Sequence, residues 1–423
     1  MVYKESIYNI VQKIDADTCL IFNSFSEAMI TTNEQYYVTY IKNCKPCDDT
    51  QKLFSMGFIT LADTDEKYRI TCNRRTIKYS GDKKINNIKI MVTSACNARC
   101  WYCFEKGIKA QNMTKETVNA LISFLQTYAD KENLHIAWFG GEPTLMIDTI
   151  EYVSAQLDSA GFKLTCSLVT NGYLFNDNFV RRITKYNLNH VQITLDGLYD
   201  EYNSVKNYAT SDPNPFETVI KNIQNALSYN FYISIRLNFS SENINRIIET
   251  IDYLHKTFGT KIGVYVAPIT GLNIDLKQIG HNYLILADKL IECGYISKLS
   301  NTHLQSIPVF CGAEILNFYT VTPDGYLYKC SQEVSCSNHE RNVGTVFNGP
   351  NVNSIYKEWT DDICIDECNN CKLLPLCQQG CKGYRLNVQG LDYGCVYVKF
   401  VVNEIILKMY HHKLRKNKSG KEK

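Results

Sequence analysis

The sequence predicts an α/β fold built on a parallel sheet, because stretches typical of strands alternate with stretches typical of helices along the middle of the chain. The strand-like runs lie near residues 88–93, 134–139, 162–169, 190–195, 231–238 and 261–266. Helical patterns lie near residues 114–129, 145–158, 174–187, 215–229, 241–257 and 281–293. Six such βα units imply right-handed crossovers, with ligands expected at the carboxyl ends of the strands.

Composition limits the classes of protein that fit. A chain of 423 residues with 45% hydrophobic residues has room for about three domains with full cores. The net charge of +2 provides no global field for nucleic acid. Apolar runs are too short to span a membrane, and the amino terminus is too charged for a signal peptide. We therefore expect a cytoplasmic protein with no nucleic-acid or membrane partner, and a basic tail over residues 401–423 that is solvated from Lys408 onward.

Three cysteines directly follow the first strand-like run. Cys96, Cys100 and Cys103 stand in the order Cys-Asn-Ala-Arg-Cys-Trp-Tyr-Cys. Thiolates bind iron–sulfur clusters, and a 4Fe-4S cluster normally takes four of them. Three closely spaced ligands would therefore leave one iron free to bind another molecule.

Other interpretations of this triplet fit less well. Zinc sites usually combine two Cys-x2-Cys or Cys/His pairs, and no second pair lies near the triplet. A disulfide is disfavoured because 18 cysteines in a chain without a secretory signal are typical of a reducing compartment. Chance clustering is the remaining alternative.

A second motif, Gly140-Gly141-Glu142-Pro143, follows the second strand-like run. Two glycines let the backbone approach a ligand closely, and a carboxylate accepts hydrogen bonds from an ammonium. Taken alone, the motif could be a turn into a helix, with Pro143 near the first helical position.

Together, the triplet and this motif resemble the radical S-adenosylmethionine (SAM) superfamily. In that family the free iron binds the amino and carboxylate groups of SAM, and an electron from the cluster cleaves SAM to a 5′-deoxyadenosyl radical. The resemblance implies a 4Fe-4S cluster on Cys96, Cys100 and Cys103, with Gly140, Gly141, Glu142 and Pro143 at the methionine amino group. It also implies a partial (β/α)6 TIM-type barrel, open on one side, over residues 86–300.

The resemblance extends to residues at the ends of later strand-like runs. Tyr102 matches the aromatic position that the family sets against adenine. The family's ribose and carboxylate contacts correspond to Thr170, Asn171, Thr194, Arg236 and Asn238. Ordinary packing, caps and turns are the alternatives. One departure concerns residues 201–206, which read Glu-Tyr-Asn-Ser-Val-Lys where the family often has a His-Asp-x-x-Arg element.

A second cysteine array occupies residues 301–400. Its members are Cys311, Cys330, Cys368, Cys371, Cys377, Cys381 and Cys395. A zinc ribbon is the alternative, but the array lacks the second tight pair that a ribbon needs. The spacing resembles the SPASM domain, which carries two auxiliary 4Fe-4S clusters.

This second resemblance implies two interleaved ligand sets. Cys368, Cys371, Cys377 and Cys395 would bind one auxiliary cluster, and Cys311, Cys330 and Cys381 the other. The fourth ligand of the latter stays open between Cys336, Cys364 and a thiolate of the substrate. With SAM, the expected cofactors are thus three 4Fe-4S clusters.

Residues 1–85 form a separate domain in this prediction. Strand-like residues 18–22 and 28–32 are followed by helical patterns near residues 33–42 and 48–55. The layout resembles the winged-helix-like peptide-recognition elements of peptide-modifying radical enzymes, in which a leader segment adds a strand to an exposed edge. A structural cap on the barrel is the alternative.

The resemblances imply a maturase that cross-links a ribosomally made precursor peptide with a leader segment, with a thioether as the favoured bond. A reductant such as flavodoxin or ferredoxin would supply electrons. The first alternative is an anaerobic sulfatase-maturating enzyme, although those relatives carry an aspartate where this chain has Ser331. The second is a non-catalytic iron–sulfur electron-transfer protein.

Overall fold

The structure is a computed structural model and describes residues 1–67, 70, 84–269, 275–295, 311–335, 339–361, 366–386 and 395–419. Its amino-terminal part contains the strands β1 (Tyr3–Glu5), β2 (Asn9–Lys13), β3 (Thr18–Asn23), β4 (Met29–Asn33) and β5 (Ile59–Leu61). Helix α1 (Glu34–Tyr36) continues as the π-helix Tyr37–Lys42, and α2 spans Thr50–Ser55. The predicted strands and helices of this part are present, and β1, β2 and β5 are additional.

The amino-terminal strands pack on both of their sides. Strands β2, β3 and β4 form an antiparallel sheet, while β1 pairs with β5. Leu20 and Phe22 on β3 are buried in the main core of the molecule. Ile21, on the opposite face, packs with Ile41 and Phe58 in a smaller core. The amino-terminal sheet is therefore a layer between its own helices and the rest of the chain.

The central part alternates strands and helices as predicted. The strands are β6 (Asn87–Met91), β7 (Leu134–Phe139), β8 (Leu164–Thr170), β9 (Leu188–Thr194), β10 (Tyr232–Phe239) and β11 (Gly263–Pro268). The helices are α3 (Lys115–Tyr128), α4 (Ile147–Ser159), α5 (Asp177–Ile183), α6 (Tyr199–Lys206), α7 (Pro215–Ala226), α8 (Ile244–Phe258) and α9 (Leu276–Glu292). All six predicted βα units are present, and α6 is an extra helix that the periodicity did not predict.

The carboxyl-terminal cysteine region begins by extending this sheet. Strand β12 (Tyr319–Val321) pairs in parallel with β6, and β13 (Leu327–Tyr328) pairs antiparallel with β12. The sheet order is β11-β10-β9-β8-β7-β6-β12-β13. The described strands therefore form one eight-stranded, mostly parallel sheet with edges at β11 and β13, so the sheet stays open.

The remaining elements are short, except the last helix. They are β14 (Gly344–Thr345), β15 (Gly349–Pro350), α10 (Ser354–Thr360), α11 (Asp366–Asn369), α12 (Leu374–Cys377), α13 (Lys382–Arg385) and α14 (Val402–Ser419), and five 3-10 segments are Pro143–Met146, Thr184–Tyr186, Gly312–Glu314, Ser331–Ser335 and Tyr397–Phe400. None of the helices in the described part of the chain has the length and apolar character of a membrane span.

Helix α14 corrects one expectation. The sequence assigns residues 401–423 to a basic tail, but Ile405 and Ile406 of α14 are 1% and 0% exposed and belong to the main core. Lys408 forms an ion pair with Asp288 of α9. Apolar residues at helical spacing dock this segment, and its basic residues flank that contact.

The inner face of the sheet is polar. On β7 and β8, buried residues alternate with half-buried ones, which share the opposite face. The ring nitrogens of His135 each lie 2.9 Å from a hydroxyl, of Thr165 and of Ser167. His190 on β9 likewise lies 2.7 Å from the hydroxyl of Ser234. We call this half-buried inner face the lumen of the sheet.

Candidate functional site

The cysteine triplet lies in the loop that follows β6. Backbone hydrogen bonds tie the start of this loop to the end of β7. The N–H of Gly141 donates to the carbonyl of Thr93 (3.0 Å), and the N–H of Glu142 donates to the carbonyl of Ala95 (2.9 Å). The segment that leads into Cys96 is therefore held in place by the neighbouring strand.

The glycines of the second motif permit this contact. A Cβ atom on Gly140 would stand 2.3 Å from the carbonyl oxygen of Thr93, and one on Gly141 would stand 2.3 Å from that of Ala95. Gly140 also has φ of +126°, which side chains rarely adopt. The close approach is thus to the backbone of the cysteine loop, whereas the sequence predicted an approach to a ligand.

The three thiols of the triplet interact with one another. Burial, together with smaller contributions from negative charge at Glu142, Cys100 and Cys103, raises the pKa of Cys96 to about 12. Among the described residues, no three Cys, His, Asp or Glu side chains converge as they would on a single metal ion. A 4Fe-4S cluster binds each thiolate through a different iron, so its ligands stand farther apart. A 4Fe-4S cluster on the triplet stays a prediction.

Glu142 connects the ends of β7 and β8. Its side chain is 1% exposed, and Oε1 accepts hydrogen bonds from the N–H of Thr144 (3.0 Å) and the hydroxyls of Thr144 (2.5 Å) and Thr170 (2.7 Å). Oε2 accepts from the N–H of Asn171 (2.8 Å). Burial raises the pKa of Glu142, and these hydrogen bonds oppose that shift. The carboxylate thus positions Thr170 and Asn171, and its contact with a cofactor stays a prediction.

Asn171 links the end of β8 to the cysteine loop. Its Nδ2 donates to Oδ1 of Asn97 (2.7 Å) and lies 3.9 Å from Sγ of Cys96. Its carbonyl accepts from the hydroxyls of Tyr202 (3.4 Å) and Tyr208 (3.3 Å). Two of the sequence-predicted groups, the triplet and the β8 end, are therefore in direct contact.

A buried polar group lies on the other side of the triplet. Oδ2 of Asp196, which follows β9, lies 2.8 Å from Nζ of Lys206, and both side chains are 2% exposed. The hydroxyl of Tyr102 donates to the same carboxylate, and Nζ of Lys206 donates to that hydroxyl (3.2 Å). Burial lowers the pKa of Lys206, but Asp196, Tyr102 and Cys100 outweigh it and hold this pKa well above its usual value.

The other predicted contacts lie beside this group. Thr194 and Arg236 are register partners on β9 and β10. Nε of Arg236 donates to Oδ1 of Asn238 (2.9 Å), and the N–H of Asn238 donates to Oδ1 of Asp196 (3.1 Å). The structure therefore brings these strand ends together as predicted, while their contacts with SAM stay predictions.

A cavity of about 300 Å³ opens at this end of the sheet. Its lining includes Trp101 and Tyr102 from the cysteine loop, Asp196 and Asn238 from the strand ends, and Arg246 from α8. The volume is at the lower end of the range of small-molecule sites. Aromatic and hydrogen-bonding side chains together suit a nucleoside-bearing ligand.

The first carboxyl-terminal cysteine group comprises Cys311, Cys330 and Cys381. Burial raises the pKa of Cys330 to about 12, and negative charge at Cys311 and Cys381 adds to this rise. Cys330 follows β13, so this group borders the eight-stranded sheet. Cys336 and Cys364, the two candidates for a fourth ligand, lie outside the described residues.

The second group comprises Cys368, Cys371, Cys377 and Cys395. Burial raises the pKa of Cys377 to about 12, and negative charge at the other three cysteines adds to the rise. Nη2 of Arg385 lies 3.4 Å from Sγ of Cys368. The structure therefore separates the array into the two groups that the resemblance to the SPASM domain implies, although the cluster ligands themselves stay predictions.

Residues 90–254 match the model of the Radical SAM superfamily, from β6 into α8. These residues form a radical SAM domain. The domain contains the triplet, the Gly-Gly-Glu-Pro motif, Asn171 and the Asp196–Lys206 pair.

Curated relatives of this chain include a cyclopropyl synthase and a sulfatase-maturating enzyme. The radical SAM cyclopropyl synthase TigE of Paramaledivibacter caminithermalis is 23% identical over 95% of this chain and 91% of its own length. A cysteine-type anaerobic sulfatase-maturating enzyme of Clostridium novyi is 24% identical over 69% of this chain and 86% of its own length.

Solved structures share the fold around the radical SAM domain. Native anSMEcpe with bound AdoMet has a TM-score of 0.60 at 17% identity, covering 77% of this chain and 99% of that chain. Streptococcus suis SuiB bound to precursor peptide SuiA has a TM-score of 0.54 at 14% identity, covering 93% of this chain and 100% of that chain. At such identities the likeness shows the fold alone.

Sequence reasoning missed two cations, Lys206 beside the triplet and Lys89 beside the Cys311–Cys330–Cys381 group. Lys206 ends the segment that replaces the His-Asp-x-x-Arg element, so that departure was the available signal. Lys89 on β6 carries no motif, and Nζ of Lys89 lies 3.3 Å from the hydroxyl of Ser331. Only the pairing of β12 with β6 brings these two residues together.

Proposed function

We propose that this protein is a radical SAM peptide maturase that installs a cross-link in a ribosomally synthesised precursor peptide. One observation carries the proposal. The Cys311–Cys330–Cys381 group borders the same eight-stranded sheet whose strand ends form the proposed SAM site. An electron acceptor beside the lumen is what an oxidative cross-link needs. When bound, SAM and the triplet cluster supply a radical that removes a hydrogen atom from the substrate.

Residues of this chain would bind the cofactors and position them. Cys96, Cys100 and Cys103 would bind the cluster, and Glu142 and Asn171 fix the loop that carries them. Tyr102, held by Asp196 and Lys206, lines the cavity proposed for SAM. We assign Cys368, Cys371, Cys377 and Cys395 to one auxiliary cluster and Cys311, Cys330 and Cys381 to another, in a SPASM domain. Flavodoxin or ferredoxin would be the reductant.

The amino-terminal region would recognise the leader of the peptide by strand addition. The N–H of Asn23 donates to the carbonyl of Ala28, and the N–H of Glu34 donates to the carbonyl of Asp17. Hydrogen-bonded pairs alternate in antiparallel sheets, so the N–H groups of Met29, Thr31 and Asn33 point away from β3. Strand β4 is an edge of its sheet, so these groups are available to a leader strand.

Ser331 and Lys89 favour cross-linking over sulfatase maturation. The sulfatase alternative needs a base directly after Cys330, and this position holds a hydroxyl 3.3 Å from an ammonium. Neither group accepts a proton from a substrate thiol as readily as a carboxylate does. The likeness to the Clostridium novyi enzyme keeps sulfatase maturation as the runner-up.

The bond type rests on chemistry rather than on a motif. We favour a thioether, while the name of the relative TigE makes closure between carbons the second candidate. Each closure removes two hydrogens. Co-expression with small open reading frames beside the gene should yield a peptide lighter by about two mass units per cross-link, since one hydrogen atom, one proton and one electron leave. Thiol alkylation separates the bonds, because only a thioether consumes a cysteine.

Two measurements test the proposal as a whole. The reconstituted chain should hold about twelve irons, and the variant with Cys96, Cys100 and Cys103 all changed to Ala about eight. The variant should form no 5′-deoxyadenosine with reductant and SAM. Cleavage of SAM by the triple variant would contradict the proposal. No cleavage of SAM by the wild type would also contradict it and would favour an electron carrier. An aldehyde on a Cys-x-Pro-x-Arg peptide would favour the sulfatase alternative.

A further inference from the structure

Lys89 lies between the loop of the cysteine triplet and the Cys311–Cys330–Cys381 group, which are the two cluster sites that the proposed function connects. It lies on the lumen side of β6, where its register partners are Ala137 on β7 and Thr320 on β12. Nζ of Lys89 contacts Ser331, the residue after Cys330. The same atom lies 4.7 Å from the centre of the Phe139 ring. The ammonium is therefore held inside the sheet and next to a candidate cluster ligand.

The charges around Lys89 come from both cysteine regions. Burial lowers its pKa, while negative charge at Cys330, Cys311 and Glu105 opposes that shift. Glu105 is 9% exposed and lies two residues after Cys103, and among the described residues its Oε1 has no hydrogen-bond partner. One ammonium thus faces the triplet loop on one side and the Cys311–Cys330–Cys381 group on the other.

Two more lysines surround this cysteine group. Lys329 and Lys382 each neighbour one of its cysteines in sequence and are 0% and 5% exposed. Nζ of Lys329 donates to the carbonyl of Phe318 (2.8 Å), and Nζ of Lys382 donates to that of Trp359 (2.8 Å). The backbone of their own region holds these two ammonium groups. Lys89, in contrast, reaches the Cys311–Cys330–Cys381 group from β6 of the parallel sheet.

We propose that Lys89 is a tuning residue whose ammonium raises the reduction potential of the auxiliary cluster on Cys311, Cys330 and Cys381. This inference rests on the proposed function. A cluster with thiolate ligands becomes more negative when it is reduced, so a nearby cation stabilises the reduced state more than the oxidised one. Net charge around a cluster is one of the factors that set its potential.

The tuning would favour the last step of the cross-link. The deoxyadenosyl radical takes one hydrogen atom from the peptide, and the neighbouring S–H loses its proton as the C–S bond closes. One electron remains and passes to this cluster, which is thereby reduced. A higher potential makes the cluster a better acceptor for that electron.

The test is a redox titration followed by electron paramagnetic resonance on the reconstituted full chain. The relevant signal is the one that Cys330→Ala removes. Lys89→Met should lower the equilibrium constant for one-electron reduction at least tenfold, which is a shift of about 59 mV to more negative potential. Lys89→Gln gives a second neutral variant should the Met variant fail to assemble the cluster.

Two controls make the result specific. Lys89→Arg keeps the charge and should keep the wild-type midpoint within about threefold in the same constant. Lys131→Met also removes an ammonium that lies over a phenylalanine ring, that of Phe162. Lys131 is far along the chain from the Cys311–Cys330–Cys381 group, so this variant should leave the midpoint potential unchanged. Equal midpoints for wild type and both neutral variants would overturn the proposal, as would an Arg variant that shifts as far as Met. The titration needs no substrate, so it can fail or succeed independently of cross-linking.

Discussion

Nζ of Lys206 and Oδ2 of Asp196 are 2.8 Å apart, with both side chains 2% exposed. The pair joins the end of helix α6 to the end of β9, directly beside Tyr102 of the cysteine loop. Because the charges are removed from water, each depends on the other for its stability. This contact ties a residue of the cavity wall to the core of the barrel.

Replacing Lys206 with Met should therefore destabilise the protein strongly. The change leaves Asp196 buried without its ion partner, at a cost of about 3–5 kcal/mol in the free energy of unfolding. Chemical denaturation measures this loss. Lys163→Met is the control, because Lys163 pairs with Glu132 at the surface, with 72% exposure, and this variant should leave the free energy of unfolding nearly unchanged. Equal losses for the two variants would contradict the role given to the buried pair.

Replacing Glu142 with Gln should weaken SAM binding. An amide keeps one acceptor oxygen for the donors at Oε1, but its NH₂ group then faces the N–H of Asn171. A lost hydrogen bond to a charged group costs about 1.5–3 kcal/mol, which corresponds to roughly a tenfold or greater rise in the dissociation constant if it falls on binding.

Equilibrium dialysis with labelled SAM measures that constant. Glu132→Gln, on an exposed side chain, provides the matched control and should bind SAM as the wild type does. Wild-type affinity in Glu142→Gln would show that the contact between Glu142 and Asn171 does not support the site.

Replacing Gly141 with Ala should displace the cysteine loop. The added Cβ would meet the carbonyl oxygen of Ala95 at 2.3 Å, and backbone cannot move aside as a flexible side chain can. We expect iron content to fall from about twelve to about eight, with no 5′-deoxyadenosine formed. Gly161→Ala meets nothing within 4 Å, and its φ of +83° strains an alanine only in the turn before β8, at the opposite end of the strands from the cysteine loop, so this control should keep both. A full complement of iron and normal SAM cleavage in Gly141→Ala would refute this account of the glycines.

The grouping of the carboxyl-terminal cysteines predicts which pairs of Cys→Ala changes lose iron additively. Cys330→Ala and Cys377→Ala should each leave about eight irons, and their combination about four, since they fall in different groups. Cys371→Ala combined with Cys377→Ala should leave about eight, because both belong to one group. Iron and sulfide analysis after reconstitution decides between this pattern and a single shared site, for which the first combination would lose no more than its parents.

Blocking the free edge of β4 should impair recognition of a leader. Thr31 is exposed and its N–H points away from β3, so Thr31→Pro removes an outward donor while the β3–β4 hydrogen bonds remain. The affinity for a leader-bearing precursor should fall, as isothermal titration would measure. Thr31→Val keeps the N–H and is the control. This test is gentler than deleting the region, whose Leu20 and Phe22 belong to the main core. Unchanged affinity in Thr31→Pro would favour the cap interpretation.

The sequence by itself determined the six βα units, the cysteine triplet and the strand-end residues of the site. Periodicity fixes which residues face the core, and parallel strands place their carboxyl ends together, so Asn171, Thr194 and Asn238 meet at one edge. The two groups of the second array came from the resemblance to the SPASM domain and not from spacing, because Cys377 and Cys381 are close in sequence but belong to different groups.

The tertiary structure decided the contacts between distant segments. The pairing of β12 with β6 places Lys89 beside Ser331, and the packing of α6 buries Lys206 against Asp196. The tertiary structure also packs α14 against the main core, whereas composition alone indicated a basic tail. These contacts join residues whose local patterns are ordinary, and only the folded backbone sets the distance between them.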